Sequence, residues 1–117
     1  MASVLVVEDE GVLLEMLAAL VEESGHHPIM ATNGQEALNV LQNTQELPAL
    51  IISDIMMPQM NGIALAHAVH SDPRLHHLPL ILMSAAGTPP PAIANHFIAK
   101  PFNIDDLEGL ILRYVTG

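Results

Sequence analysis

The chain has no cysteine, no tryptophan and only three basic side chains, Arg74, Lys100 and Arg113. Without cysteine there are no disulfides, no thiolate chemistry and no Cys-type zinc site, which suits a reducing compartment. Three Lys/Arg against 13 Asp/Glu leave a formal charge of −10, whereas binding to a phosphate backbone needs clustered cations. Nucleic-acid contact is therefore not expected. The apolar runs are short and carry no basic leader, so neither a membrane span nor a signal peptide is read, and a cytoplasmic location follows. Long Gly/Ser linkers, charge runs, internal repeats and low-complexity segments are also missing. At 117 residues the expectation is one domain over 1–117, with no separate output domain.

What is present is a core-forming composition, 50% apolar and 14% charged. Ser3 to Val7 reads as a first strand, and Val12, Leu13, Met16, Leu17, Leu20 and Val21 then recur at helical spacing up to Gly25. His27 to Ala31 is a second strand, followed by an Asn33-Gly34 helix start and a helix to about Gln42, with Ala37, Leu38 and Leu41 inward. Leu50 to Ser53, Leu80 to Met83 and Phe97 to Ala99 read as further strands. An Ala-rich helix runs from Gly62 to about His70, and a last helix capped at Asn103 buries Leu107, Leu110, Ile111, Tyr114 and Val115. This alternation predicts an α/β fold, a doubly wound five-stranded parallel sheet of flavodoxin-like order 2-1-3-4-5. Between the fourth and fifth strands, Pro89-Pro90-Pro91 leaves space for a fourth helix that is short or absent.

Polar residues follow the apolar runs at one edge of such a sheet: Glu8-Asp9-Glu10 after the first, Asp54 after the third, Ser84 after the fourth and Lys100 after the fifth. Ligands in this fold bind beyond the carboxyl ends of the strands, at the switch point between strands 1 and 3. Carboxylates gathered there repel one another unless a cation intervenes, and a hard divalent ion with oxygen ligands, Mg²⁺ or Mn²⁺, is the natural one. Asp9 and Asp54 can each supply an oxygen, and Glu8 can reach the ion through a water. Glu10 reads as a helix-start residue. With the Lys100 ammonium opposite the metal, Asp54 can act as nucleophile toward a phosphoryl group and form an acyl phosphate, and Ser84 can donate its hydroxyl to a phosphoryl oxygen.

With these residues in place, the sequence resembles the response-regulator receiver domains of two-component signalling, through the words VLVVEDE, LIISDIMMPQMNG, LILMSAAG and FIAKPF, spread over nearly the whole chain. The resemblance implies that Asp54 accepts phosphate from the phosphohistidine of a sensor histidine kinase or a histidine phosphotransfer protein. It implies a metal held by Asp9, Asp54 and the backbone carbonyl of Met56, with Glu8 in the outer shell. Ser84 and Phe97 become the switch pair, Lys100 the phosphate-binding lysine, and the Lys100-Pro101 bond is expected to be cis. A new dianion would draw the Ser84 hydroxyl inward and leave space for the Phe97 ring, which lacks the hydroxyl of the commoner tyrosine.

The implied function is a stand-alone, phosphorylation-controlled interaction switch with a downstream protein partner, or a phosphoryl shuttle in a phosphorelay. It modifies itself stoichiometrically and turns over no external substrate. Two other readings remain open: a pseudo-receiver that binds partners without phosphate, and a small Asp-nucleophile phosphatase. The phosphatase would want a second acid close after Asp54, where Ile55 and Met56 stand instead. The seven histidines, including His26-His27, His76-His77, His67 and His70, read as surface residues and the seven methionines as core filling. Met56 and Ala86 flank the phosphoryl position with no group able to orient a water.

Overall fold

The structure is a computed structural model that describes residues 2–85 and 92–115. Strands β1 (Ser3–Val7), β2 (His27–Ala31), β3 (Leu50–Asp54), β4 (Leu80–Ala85) and β5 (His96–Lys100) form one parallel sheet in the order β2-β1-β3-β4-β5. Helices α1 (Gly11–Glu23), α2 (Gly34–Asn43), α3 (Gly62–Ser71) and α4 (Ile104–Val115) cover its faces. This is the expected doubly wound, flavodoxin-like fold. The last three strands run one or two residues beyond the apolar words, because the ladder continues through Asp54↔Met83 and Ala85↔Lys100.

Side-chain alternation along the strands divides the core in two. Leu5, Val7, Ile51 and Leu82 face α2 and α3, while Val4, Val6, Ile52, Ile81 and Met83 face α1 and α4. Each fully buried Leu or Ile contributes roughly 1.5–3 kcal/mol of transfer free energy. In α1 the buried residues are Leu14, Leu17, Ala18, Leu20 and Val21, so of the positions named at helical spacing Leu17, Leu20 and Val21 face the core, whereas Val12 and Met16 do not: they are 78% and 40% exposed. The helix is apolar nearly all round its first turns, so periodicity alone does not select the stripe that meets the sheet.

The starts of α2, α3 and α4 are locked by side chains. Asn33 Oδ1 accepts the Glu36 N–H at 2.8 Å, and the Glu36 carboxylate accepts from the Thr32 N–H and hydroxyl. Asn61 Oδ1 accepts the Ala64 N–H at 2.8 Å, and Asn103 Oδ1 accepts the Asp105 N–H at 2.8 Å. Glu10 stands at the N-cap of α1, ahead of its first turn. Among the described residues, the link from β4 to β5 contains turns at 92–95 and no helix. Ala86 and the proline run Pro89–Pro91 lie outside the described residues. The link is pinned at its far end, where Asn95 donates its N–H to the Leu80 carbonyl and its Oδ1 accepts the Leu80 N–H, both at 2.9 Å.

Candidate functional site

The carboxyl ends of β1 and β3 are neighbours in the sheet, and the residues at these ends converge. The Glu8 N–H extends the β1 ladder to Ala31 O at 3.0 Å, which turns its side chain into the protein, where it is 1% exposed. Asp54, the last residue of β3, is 5% exposed, while Asp9 is open to solvent. Lys100 ends β5 and reaches back across β4: its Nζ donates to Asp54 Oδ2 at 3.0 Å and to Glu8 Oε1 at 3.3 Å. Carboxylate oxygens of Glu8, Asp9 and Asp54 lie within 4.8 Å of one another.

Burial is the main force on Glu8, pushing its pKa from 4.5 up to about 7. The Glu10 N–H opposes this, the Asp54 charge adds to it, Lys100 opposes it, and a hydrogen bond with Asp9 again favours the neutral form. Burial works against the charged form of Lys100 as well. There the hydrogen bond to Asp54 and the attraction of Asp54 and Glu8 prevail, and the pKa is raised. One ammonium thus serves two buried carboxyl groups, with Asp9 beside them. The donor set fits a hard divalent cation: clustered carboxylate oxygens, two of them inside the fold, with no thiolate or imidazole among them. Among the described residues this is the one group of three or more acidic or histidine side chains close enough to share an ion, and no histidine belongs to it.

The loop after Asp54 is shaped by backbone constraints. The Met56 N–H donates to Asp54 Oδ1 at 3.4 Å, and the Met56 side chain is 72% exposed. Gln59 has φ 67°, the Met60 N–H donates to Pro58 O at 2.9 Å, and the Gly62 N–H donates to Ile55 O at 2.9 Å. A Cβ on Gly62 would lie 2.3 Å from the Asp54 carbonyl oxygen, so only glycine lets α3 start this close to the acidic edge. Sequence reading treats Gly62 merely as the start of a helix. Its place at the first turn of a helix, where no turn conformation demands glycine, is the signal of close packing.

Ser84 is buried on β4 and pairs in register with Ala99, next to Lys100. Phe97 lies opposite Leu82 and is half-buried, packed with Ile93 and Ala94 against the α2/α3 side of the core. The Lys100-Pro101 bond is cis. Glu8, Asp9, Asp54 and Lys100 are thus brought into mutual contact or ligand distance, Ser84 shares their sheet edge, and Phe97 sits further back along β5. Among the described residues no helix is long and apolar enough to cross a membrane.

Comparison with known proteins supplies a family. The family model of the response regulator receiver domain matches residues 4–112. Response regulator Rre1 of Synechocystis sp. is 37% identical over 116 residues, which cover 93% of this chain and 49% of that protein. Response regulator RR06 of Streptococcus pneumoniae is 33% identical, over 96% of this chain and 54% of its own length. The chain spans about half the length of these curated relatives. Among solved structures, the signal receiver domain of a signal transduction histidine kinase from Syntrophus aciditrophicus superposes with a TM-score of 0.89 at 33% identity, covering 100% of this chain and 92% of that one. Chemotaxis response regulator CheY4 of Vibrio cholerae gives 0.87 at 28% identity, covering 98% and 99%.

Proposed function

The chain belongs to the response-regulator receiver family, the signalling modules of two-component systems, and on that premise we propose that Asp54 is its phosphoacceptor. The observation that carries the reading is the Lys100 ammonium held between Asp54 and Glu8, with Asp9 beside them, at the strand 1/3 switch point. In the proposed reaction an Asp54 carboxylate oxygen attacks the phosphorus of a phosphohistidine on a sensor histidine kinase or phosphotransfer protein. The O–P bond forms as the N–P bond breaks, and the histidine nitrogen leaves with its electron pair. Lys100 stays within reach of the incoming oxygens and offsets their charge, and the Ser84 hydroxyl donates to one of them.

Asp9, Asp54 and the Met56 backbone carbonyl would hold Mg²⁺ or Mn²⁺, with Glu8 reaching it through water. When bound, that ion offsets charge on the transferring phosphoryl group. Phosphorylation then biases Ser84 and Phe97, changing the surface offered to a downstream protein partner. The cycle is stoichiometric self-modification and takes place in the cytoplasm. Incubation with acetyl phosphate and Mg²⁺ should add one phosphoryl group by intact mass, and Asp54→Asn should add none. An unmodified wild type would overturn the assignment and favour a phosphate-independent binding module.

A further inference from the structure

We infer that Gly34 is a positioning residue for phosphoryl transfer: as the first residue of α2 it braces the loop at residues 55–61 and so holds Met56 against Asp54. The inference rests on Asp54 as phosphoacceptor and concerns how its surroundings are kept in register. The Gly34 N–H donates to the Met60 carbonyl at 2.9 Å. A Cβ at Gly34 would lie 2.3 Å from that oxygen, 2.8 Å from Met60 Cγ and 2.9 Å from the Met60 carbonyl carbon. The nearest of these is backbone, so no side-chain rotation relieves the overlap, and the loop itself must move.

The surroundings decide where such a displacement goes. On one side stands a rigid helix end, fixed by the Asn33 cap and the Thr32–Glu36 hydrogen bonds. On the other, Asn61 caps α3 and the Gly62 N–H ties the loop's end to Ile55, so Met60 cannot shift freely toward α3. Its remaining freedom lies toward Pro58 and Met56, through the left-handed Gln59. Met56 is the residue whose N–H meets Asp54 Oδ1. Helix propensity alone would favour alanine at Gly34. Glycine stands where loop and helix backbones touch.

The test is Gly34→Ala beside the wild type and Leu75→Val, a core change in the turn before β4 that sets the scale of simple destabilisation. In Gly34→Ala the Mg²⁺ concentration for half-maximal modification by acetyl phosphate should rise about tenfold, the low end for changes behind a metal ligand. The rate at saturating Mg²⁺ should stay within about twofold. Mg²⁺ affinity by calorimetry should weaken by the same factor, and the Met56 amide resonance should move in the metal-free protein. Leu75→Val should change none of these. A wild-type measurement stands apart from any folding defect. First-turn helix N–H groups lack intrahelical partners, so slow hydrogen exchange at the Gly34 amide reports the brace. Fast exchange there overturns the inference. So does a Gly34→Ala protein that keeps the wild-type Mg²⁺ dependence, or that tracks Leu75→Val. In those cases Asp54 remains the phosphoacceptor if the wild type is modified, whereas an unmodified wild type removes the assignment itself.

Discussion

β3 is buried along its whole length and β1 all but its first residue, whereas β5, at the edge of the same sheet, has no buried residue. The two sealed strands carry Glu8 and Asp54; the exposed one carries Phe97 and Lys100. Ladders on both sides and helices on both faces fix the acidic edge. β5 has one ladder partner, and on the α2/α3 side its Phe97 lies at the margin of the core together with the partly buried Ile93 and Ala94. The difference sets a confined acidic edge in the centre of the sheet against a less confined strand at its margin. Lys100 joins them, since it ends the edge strand and its ammonium contacts both Asp54 and Glu8.

Cutting that link should have the largest effect. Lys100→Ala leaves two buried carboxyl groups without their cation, and modification by acetyl phosphate should slow by about 100-fold or more. Amide exchange along β5 should speed up while β1 and β3 stay protected; equal protection in all three would remove the distinction between centre and edge. A pH titration tests the centre alone. Because the folded pKa of Glu8, about 7, lies above its ordinary 4.5, the folded state binds the proton more tightly. Metal-free stability should therefore fall as pH rises from 4.5 to 7, by at most about 3 kcal/mol, and level off beyond. Glu8→Gln should flatten that slope in urea melts, and saturating Mg²⁺ should reduce it by competing with the proton. The raised pKa of Lys100 acts elsewhere: the stability it adds is complete below pH 10.5 and is lost as pH rises through its folded value.

The same contrast governs what could be read from the sequence. Buried parallel strands are continuous apolar runs, so VLVV and LII announced both the strands and the acidic residues that end them. Sheet order followed from the strand and helix alternation, and with it the meeting of Asp9, Asp54 and Lys100 at one edge. The contacts set by absolute backbone distance were not legible. Gly34 and Gly62 look like ordinary helix starts, yet a Cβ on either would come within 2.3 Å of a loop or strand carbonyl. The packing face of α1 was legible only in its later turns, at Leu17, Leu20 and Val21, because its first turns offer apolar residues on several sides. Proline spacing limited the helix between β4 and β5 without specifying what replaces it.

Smaller effects separate the two regions further. Phe97→Ala removes a half-buried ring from the edge and should cost about 2 kcal/mol in urea melts. Its initial rate of phosphorylation should match the wild type, since none of the groups meeting Asp54 is altered. A parallel loss of rate would mean that the edge strand sets the geometry of the centre.

The smallest change is expected at Met56, which belongs to the site by its backbone and to the solvent by its side chain, 72% exposed. Hydrolysis of an acyl phosphate on Asp54 needs a water held in line with the phosphorus, and a thioether is a poor partner for that water. Met56→Asn adds an amide able to orient it, so the phosphorylated form should decay about threefold faster, well short of what a true general base supplies. Stability should shift by no more than about 0.5 kcal/mol, as for other exposed substitutions. The comparison turns on the pairing of these two results. A faster decay with unchanged stability shows that lifetime is set by the side chains around a fixed centre; an unchanged decay shows that metal and steric access alone set it.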